Sequence, residues 1–291
     1  MDLKFIPTHN HAGYLAPPPE KHKKMYTSLI KGLNSCQIVH ALRENHVVYE
    51  SLVQEFWKSA RFDALGVGGK GAIVSITVTE QMIREVLQFN DQETYPIDLP
   101  AGTVEAILPR LSYEGKYPSL VKKFVHPYWR LLVHMFILCM TENKGGTDQL
   151  SITQSATIVC LITNQPFNYS KYIFEGMKRY VIGVRKDKFI MYLRFLQMMF
   201  NACYPEMERS GNTLELKPMG PACLGALTTK KGIEMKFEGL ILLEKFGQFA
   251  ETEDVATEPV LVQPAPVNAA PVNAPVNAMI AEEHVVQGAV E

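Results

Sequence analysis

HPYWRLLVHMFILCMTENKGGTDQLSITQSATIVCLITNQPFNYSKYIFEGMKRYVIGVRKDKFIMYLRFLQMMFNAC, residues 126–203, decides the fold class. It holds the longest apolar runs of the chain and the clearest helix starts of its second half. Pro127 stands where the first turn of a helix needs no backbone N–H. From Tyr128 to Met140 the chain is apolar nearly all round, so that helix is expected to be buried on most sides. Ser151 followed by Gln154 spells a capping box for a helix through Leu161. Pro166 ends that region, and Ser170 starts a helix over Lys171 to Val181. The spacing predicts a last helix over Phe189 to Ala202, where Phe195, Leu196, Met198, Met199 and Phe200 crowd most of the circumference as core or interface. The fold class read from this stretch is mainly α, a multi-helix globular domain.

Working outward, the upstream chain adds helices and one change of period. Met25, Leu29, Ile30 and Leu33 line one helical face, and Val47 to Phe62 reads as a second helix with Phe56 and Trp57 as core anchors. Then FDALGVGGKGAIVSITVT alternates β-branched residues after glycines 66, 68, 69 and 71, which predicts a small β-hairpin at about 62–78. A phosphate-binding P-loop needs G-x-x-x-x-G-K-[ST] between a strand and a helix; here Gly69-Lys70 runs into Gly71 and then a strand. Thr79 is placed to cap a helix through Phe89, with Glu80 favourable at its positive end, and Thr103 to Leu108 suits a short helix.

The ends differ from the middle. Residues 1–24 form a polar N-terminal arm with three successive prolines at 17–19, and with Phe5, Tyr14 and Leu15 available to dock onto the body. His9 and His11 without further ligands nearby read as solvated residues rather than half a metal site. Met207 to Lys231, interrupted by Gly and Pro, reads as an extended wrapping segment, and Gly232 to Phe249 returns to helical spacing. The Pro/Val/Asn/Ala-rich tail, 250–291, repeats PVNA units and is expected to be disordered. The helical domain thus runs over 25–249.

Hydrophobic residues make up 47% of the chain and charged residues 20%, enough to bury a core. A net charge of −1 gives no whole-chain attraction to nucleic acid or anionic membrane, so such binding needs a local basic patch. The candidate patch is the loop carrying Arg179, Arg185, Lys186 and Lys188, with Lys122, Lys123, Lys230 and Lys231 as further cations; the alternative is an ordinary solvated loop. Five scattered cysteines without C-x-x-C point to a reducing compartment. The N-terminus has no signal-peptide core, and Leu131 to Met140, interrupted by His134, falls short of the ~20 apolar residues that cross a bilayer. The expected location is intracellular, cytoplasmic or nuclear, with no membrane association.

The elements HPYWRLLVH, ILCMTENKGGTDQ, NQPFNYSKYIFEGM and KFIMYLRFLQM resemble a plant protein family abundant in daisy-family genomes and associated with retrotransposons and other transposable elements. HNHAGYL, VVYESLVQEFW and TEQMIREVLQF match the same pattern in the same order, so the resemblance covers roughly residues 9–202. It implies transposable-element ancestry and carries over no catalytic or ligand-binding residue. The chain has neither the C-x2-C-x4-H-x4-C knuckle nor the D-[ST]-G motif that a full gag-type polyprotein would show.

Three functional readings follow. The first is a non-catalytic interaction or self-assembly module of transposable-element origin, partnered by protein or by itself. The second is a gag-like nucleic-acid-binding protein using the basic loop. The third is an enzyme, for which no G-x-S-x-G, H-E-x-x-H, Walker or dinucleotide motif is present. It would need His126 or His134 beside a carboxylate and a nucleophile in space; both are read instead as hydrogen-bonded structural histidines. No catalytic residue, metal or cofactor is assigned.

Overall fold

Residues 3–6, 8–71, 74–118, 120–143, 148–183, 189–207 and 211–226 are described by the computed structural model. All of them lie in the first of two units, Met1–Glu253 and Asp254–Glu291, into which the chain divides. The fold is mainly α-helical with small sheets. In order it runs α1 (Glu20–Ser35), α2 (Val39–Arg43), β1 (Val48–Tyr49), α3 (Glu50–Ser59), β2 (Arg61–Asp63), β3 (Gly66–Lys70), β4 (Ser75–Val78), α4 (Glu80–Leu87) and α5 (Thr103–Ile107). It continues through β5 (Leu120–Val121), α6 (Pro127–Met140), β6 (Gln149–Leu150), α7 (Ile152–Thr163), α8 (Tyr169–Ile182), α9 (Leu193–Cys203), β7 (Thr213–Leu214) and α10 (Ala222–Ala226).

The helix predicted to be apolar all round is the centre of the core. α6 buries Trp129, Leu132, Met135, Phe136 and Ile137, and α1 and α2 pack against it. Each fully buried side chain of this kind contributes about 1.5–3 kcal/mol. α9 lies across α3 and α4, bringing Phe200 edge-on to Phe56 at 6.1 Å. The capping box at Ser151 and Gln154 forms, and Thr79 accepts the Met82 N–H to start α4. α4 and α8 are joined by a buried polar link: Arg84 Nε lies 2.7 Å from Asp91 Oδ1, and the same carboxylate receives the Ser170 N–H and hydroxyl.

Several boundaries differ from the sequence reading, some through local capping and some because a contact elsewhere claims the residues. α1 begins at Glu20 rather than Met25, with that carboxylate in its first turn. The predicted helix from Val47 to Phe62 is shortened at both ends. Val48 and Tyr49 pair with Leu214 and Thr213, and Arg61–Asp63 become β2. The hairpin near 62–78 is a three-stranded antiparallel sheet in the order β2-β3-β4. α8 starts at Tyr169, with Asn168 rather than Ser170 as its cap. α9 starts at Leu193, because Phe189 bridges to Lys4 in parallel and the Ile190 N–H donates to the Lys4 carbonyl at 2.9 Å. The helical spacing of Gly232 to Phe249 and the tail 250–291 lie outside the described residues.

Candidate functional site

Of the basic loop, the structure describes Arg179; Arg185, Lys186 and Lys188 lie outside the described residues, as do Lys230 and Lys231. Arg179, on α8, is half exposed and places Nη2 3.3 Å from Glu142 Oε2, so a carboxylate already meets its charge. Lys122 and Lys123 stand on a separate segment ahead of α6. The Lys122 ammonium faces Asp148 at 3.7 Å, and burial lowers its pKa against that carboxylate's pull. Lys123 lies over the Phe124 ring at 4.8 Å.

The histidines divide sharply. His126 caps α6, its Nδ1 accepting the Tyr128 N–H at 3.3 Å, and burial lowers its pKa, with Arg130 adding to the shift and Glu114 opposing it. His134 was expected to be hydrogen-bonded, but its buried Nδ1 has no partner among the described atoms, and burial together with Lys122 and His11 pulls its pKa down to about 4. His9, read as solvated, is fully buried. Its Nδ1 lies 3.1 Å from the Asn143 carbonyl, while Nε2 accepts the Tyr192 N–H at 2.8 Å. That pattern fixes a neutral ring protonated on Nδ1. His11 keeps a partly exposed side chain, with Nδ1 3.1 Å from the Lys217 carbonyl.

The arm therefore does far more than dock by its apolar residues. Asn10, in the left-handed region at φ 56°, accepts the N–H groups of Arg194 and Phe195 at 3.0 and 3.1 Å and donates to the Cys139 carbonyl at 2.7 Å. One side chain thereby satisfies orphan groups at the start of α9 and the end of α6. α9 has no capping side chain of its own, since Tyr192 precedes it. Arg194 is fully buried and donates to three main-chain carbonyls, those of Asn10, His11 and Glu44. Burial lowers its pKa to about 10, which leaves it charged at neutral pH. Sequence reasoning missed this cluster; its signal was a helix start without a local cap and an arginine inside an apolar run.

Among the described residues, one exposed surface combines a strand edge with apolar side chains: the hairpin and the helix row beside it. β2 is an edge strand with all three residues exposed. The Phe62 ring lies 6.4 Å from that of Phe174 and beneath the Lys178 ammonium at 5.0 Å. Phe174, Lys178 and Ile182 recur every four residues, so they share one face of α8. Three large apolar side chains of these two adjoining elements meet solvent: Phe62 at 39%, Leu65 at 75% and Ile182 at 59% exposure.

All five cysteines are free; Cys36, Cys139 and Cys160 are buried, and burial raises each thiol to about 12, which keeps them as unreactive packing groups. Among the described residues no three of His, Cys, Asp and Glu gather as a metal site, and no helix is long and apolar enough to cross a membrane. Comparison with protein families, with curated proteins and with solved structures finds no match for this chain.

Proposed function

We propose that this protein is a non-catalytic self-assembly module of transposable-element origin, whose copies meet through the β2–β3 hairpin and the adjoining row of α8. The ancestry rests on the ordered resemblance over residues 9–202. The assembly role rests on one observation above all: Phe62, Leu65 and Ile182 expose apolar surface beside an unpaired strand edge. Apolar surface next to free main-chain N–H and C=O groups is what strand-to-strand pairing between copies uses.

Size-exclusion chromatography with light scattering on the full chain tests this. A discrete oligomer is expected, and Leu65→Asp, a change at an exposed turn, should convert it to monomer without altering the helical circular dichroism. A wild-type chain that stays strictly monomeric at high concentration would overturn the reading. Salt-sensitive co-elution with RNA would move the role to the gag-like alternative.

A further inference from the structure

The outward face of the same sheet forms a cleft of ≈ 640 Å³, and we infer that it is a binding site for a small phosphate-bearing anion, with a diphosphate the best-matched group. This goes beyond the assembly reading and uses the opposite face of the sheet. On the inner face, Val67, Ile76 and Val78 are buried. The alternation of a strand then sends Arg61, Lys70, Ser75 and Thr77 outward. The register sets Arg61 opposite Gly68 and Gly68 opposite Thr77, with Lys70 opposite Ser75. Two cations and two hydroxyls thus surround a glycine floor, and Arg61 and Thr77 stand two strand spacings apart, about 10 Å. The acidic lining residue, Asp63, lies two pairs further along, opposite Gly66.

The glycines separate a structural need from a binding one. Gly66 has φ +142°, and a Cβ there would strike the Val78 carbonyl. At Gly69 a Cβ would lie 2.6 Å from the Phe56 ring. Gly68 has neither reason: its backbone suits any residue, and an added Cβ would meet only the Thr77 hydroxyl, at 3.5 Å. A glycine inside a strand weakens it and marks places where a ligand or another backbone comes close. Nothing of the protein's own approaches Gly68 that closely among the described residues, so the approach is left to a ligand. The cleft's size falls in the range that holds small molecules, about 300–1,000 Å³. Among the described residues the lining includes no aromatic ring on which a base could stack, so the phosphate rather than a base is what the face reads.

Calorimetric titration of the full chain with inorganic pyrophosphate tests the site, alongside Gly68→Val and the double variant Arg61→Gln/Lys70→Gln. Saturable binding that weakens with salt is expected, reduced about tenfold or more in each variant. Gly68→Val fills the floor with a residue that favours strands, and circular dichroism checks that both variants keep the wild-type fold. No saturable binding of pyrophosphate at millimolar concentration, or equal affinity in folded variants, would overturn the proposal. A short oligouridine that binds with the same sensitivity while pyrophosphate does not would also overturn it, in favour of a nucleic-acid surface.

Discussion

The arm's lock on α9 and the β2–β3–β4 sheet are built from similar polar residues and use them oppositely. At the lock, His9, Asn10 and Arg194 are wholly buried and their polar groups end on main-chain atoms of α6, α9 and the segments beside them. On the sheet, Arg61, Lys70, Ser75 and Thr77 line an open cleft. A buried polar group must find a partner inside the fold, whereas an exposed one is free to meet a partner from outside. The difference teaches where to look for function in a chain without a catalytic signature: the residues with the strongest chemistry, a buried arginine and a neutral histidine, hold the fold together, and the glycine strand holds the opening.

The largest expected effect breaks the lock. Arg194→Met keeps an apolar stem but leaves the carbonyls of Asn10, His11 and Glu44 buried without their donor. The loss should be about 3–5 kcal/mol, read as a lower urea midpoint. A loss below about 1 kcal/mol would mean that the arm is held by its buried apolar residues and the His9 and Asn10 hydrogen bonds without help from the Arg194 side chain. No comparable cost attaches to Arg61→Gln on the open sheet, where a surface substitution should stay within about 0.5 kcal/mol.

The next effect is in pH. His9 has its pKa lowered to about 4 by burial, and its ordinary value is 6.5. Between those values the unfolded chain takes up a proton that the folded one does not, so stability is full above pH 6.5 and falls as the pH drops toward 4. The fall at pH 5 should be about 2 kcal/mol from His9, and His134, also lowered to about 4, acts in the same direction. His9→Gln should reduce the fall of the urea midpoint between pH 7 and 5 while lowering the midpoint at pH 7. An unchanged slope would assign the acid sensitivity to the other histidines lowered by burial, His134 foremost.

Local signals carried much of this fold. Pro127, the Ser151–Gln154 box and Thr79 each mark a helix start by chemistry within one turn, and each stands where the sequence places it. The helices that lost residues at their starts, at Val48 and Phe189, did so where a distant strand or arm takes main-chain groups that helical spacing alone would assign to a helix. His9 was misread for the same reason: its partners, Asn143 and Tyr192, are far away in sequence. The glycine hairpin was legible as strand and turn, and its order ruled out a P-loop. Which glycine faces out depends on register, and period-two alternation interrupted by glycines leaves register open.

The smallest effect, the one expected at Gly68, gives the sharpest test of that register. Gly69→Ala drives a methyl group to 2.6 Å from Phe56 Cδ2 and 2.7 Å from the Phe56 carbonyl. Neither the buried ring nor the main chain yields easily, so the substitution should destabilise by about 1–3 kcal/mol. Gly68→Ala, one residue earlier, gains strand propensity and meets an ordinary contact with Thr77, so its midpoint should change by less than about 0.5 kcal/mol. The two substitutions are chemically identical and adjacent in sequence; only the face differs. If thermal melts show equal losses, Gly68 also serves packing and its claim on a ligand falls. If the loss is confined to position 69, the glycine at 68 is dispensable to the fold, and its missing side chain is left for the proposed anion to account for.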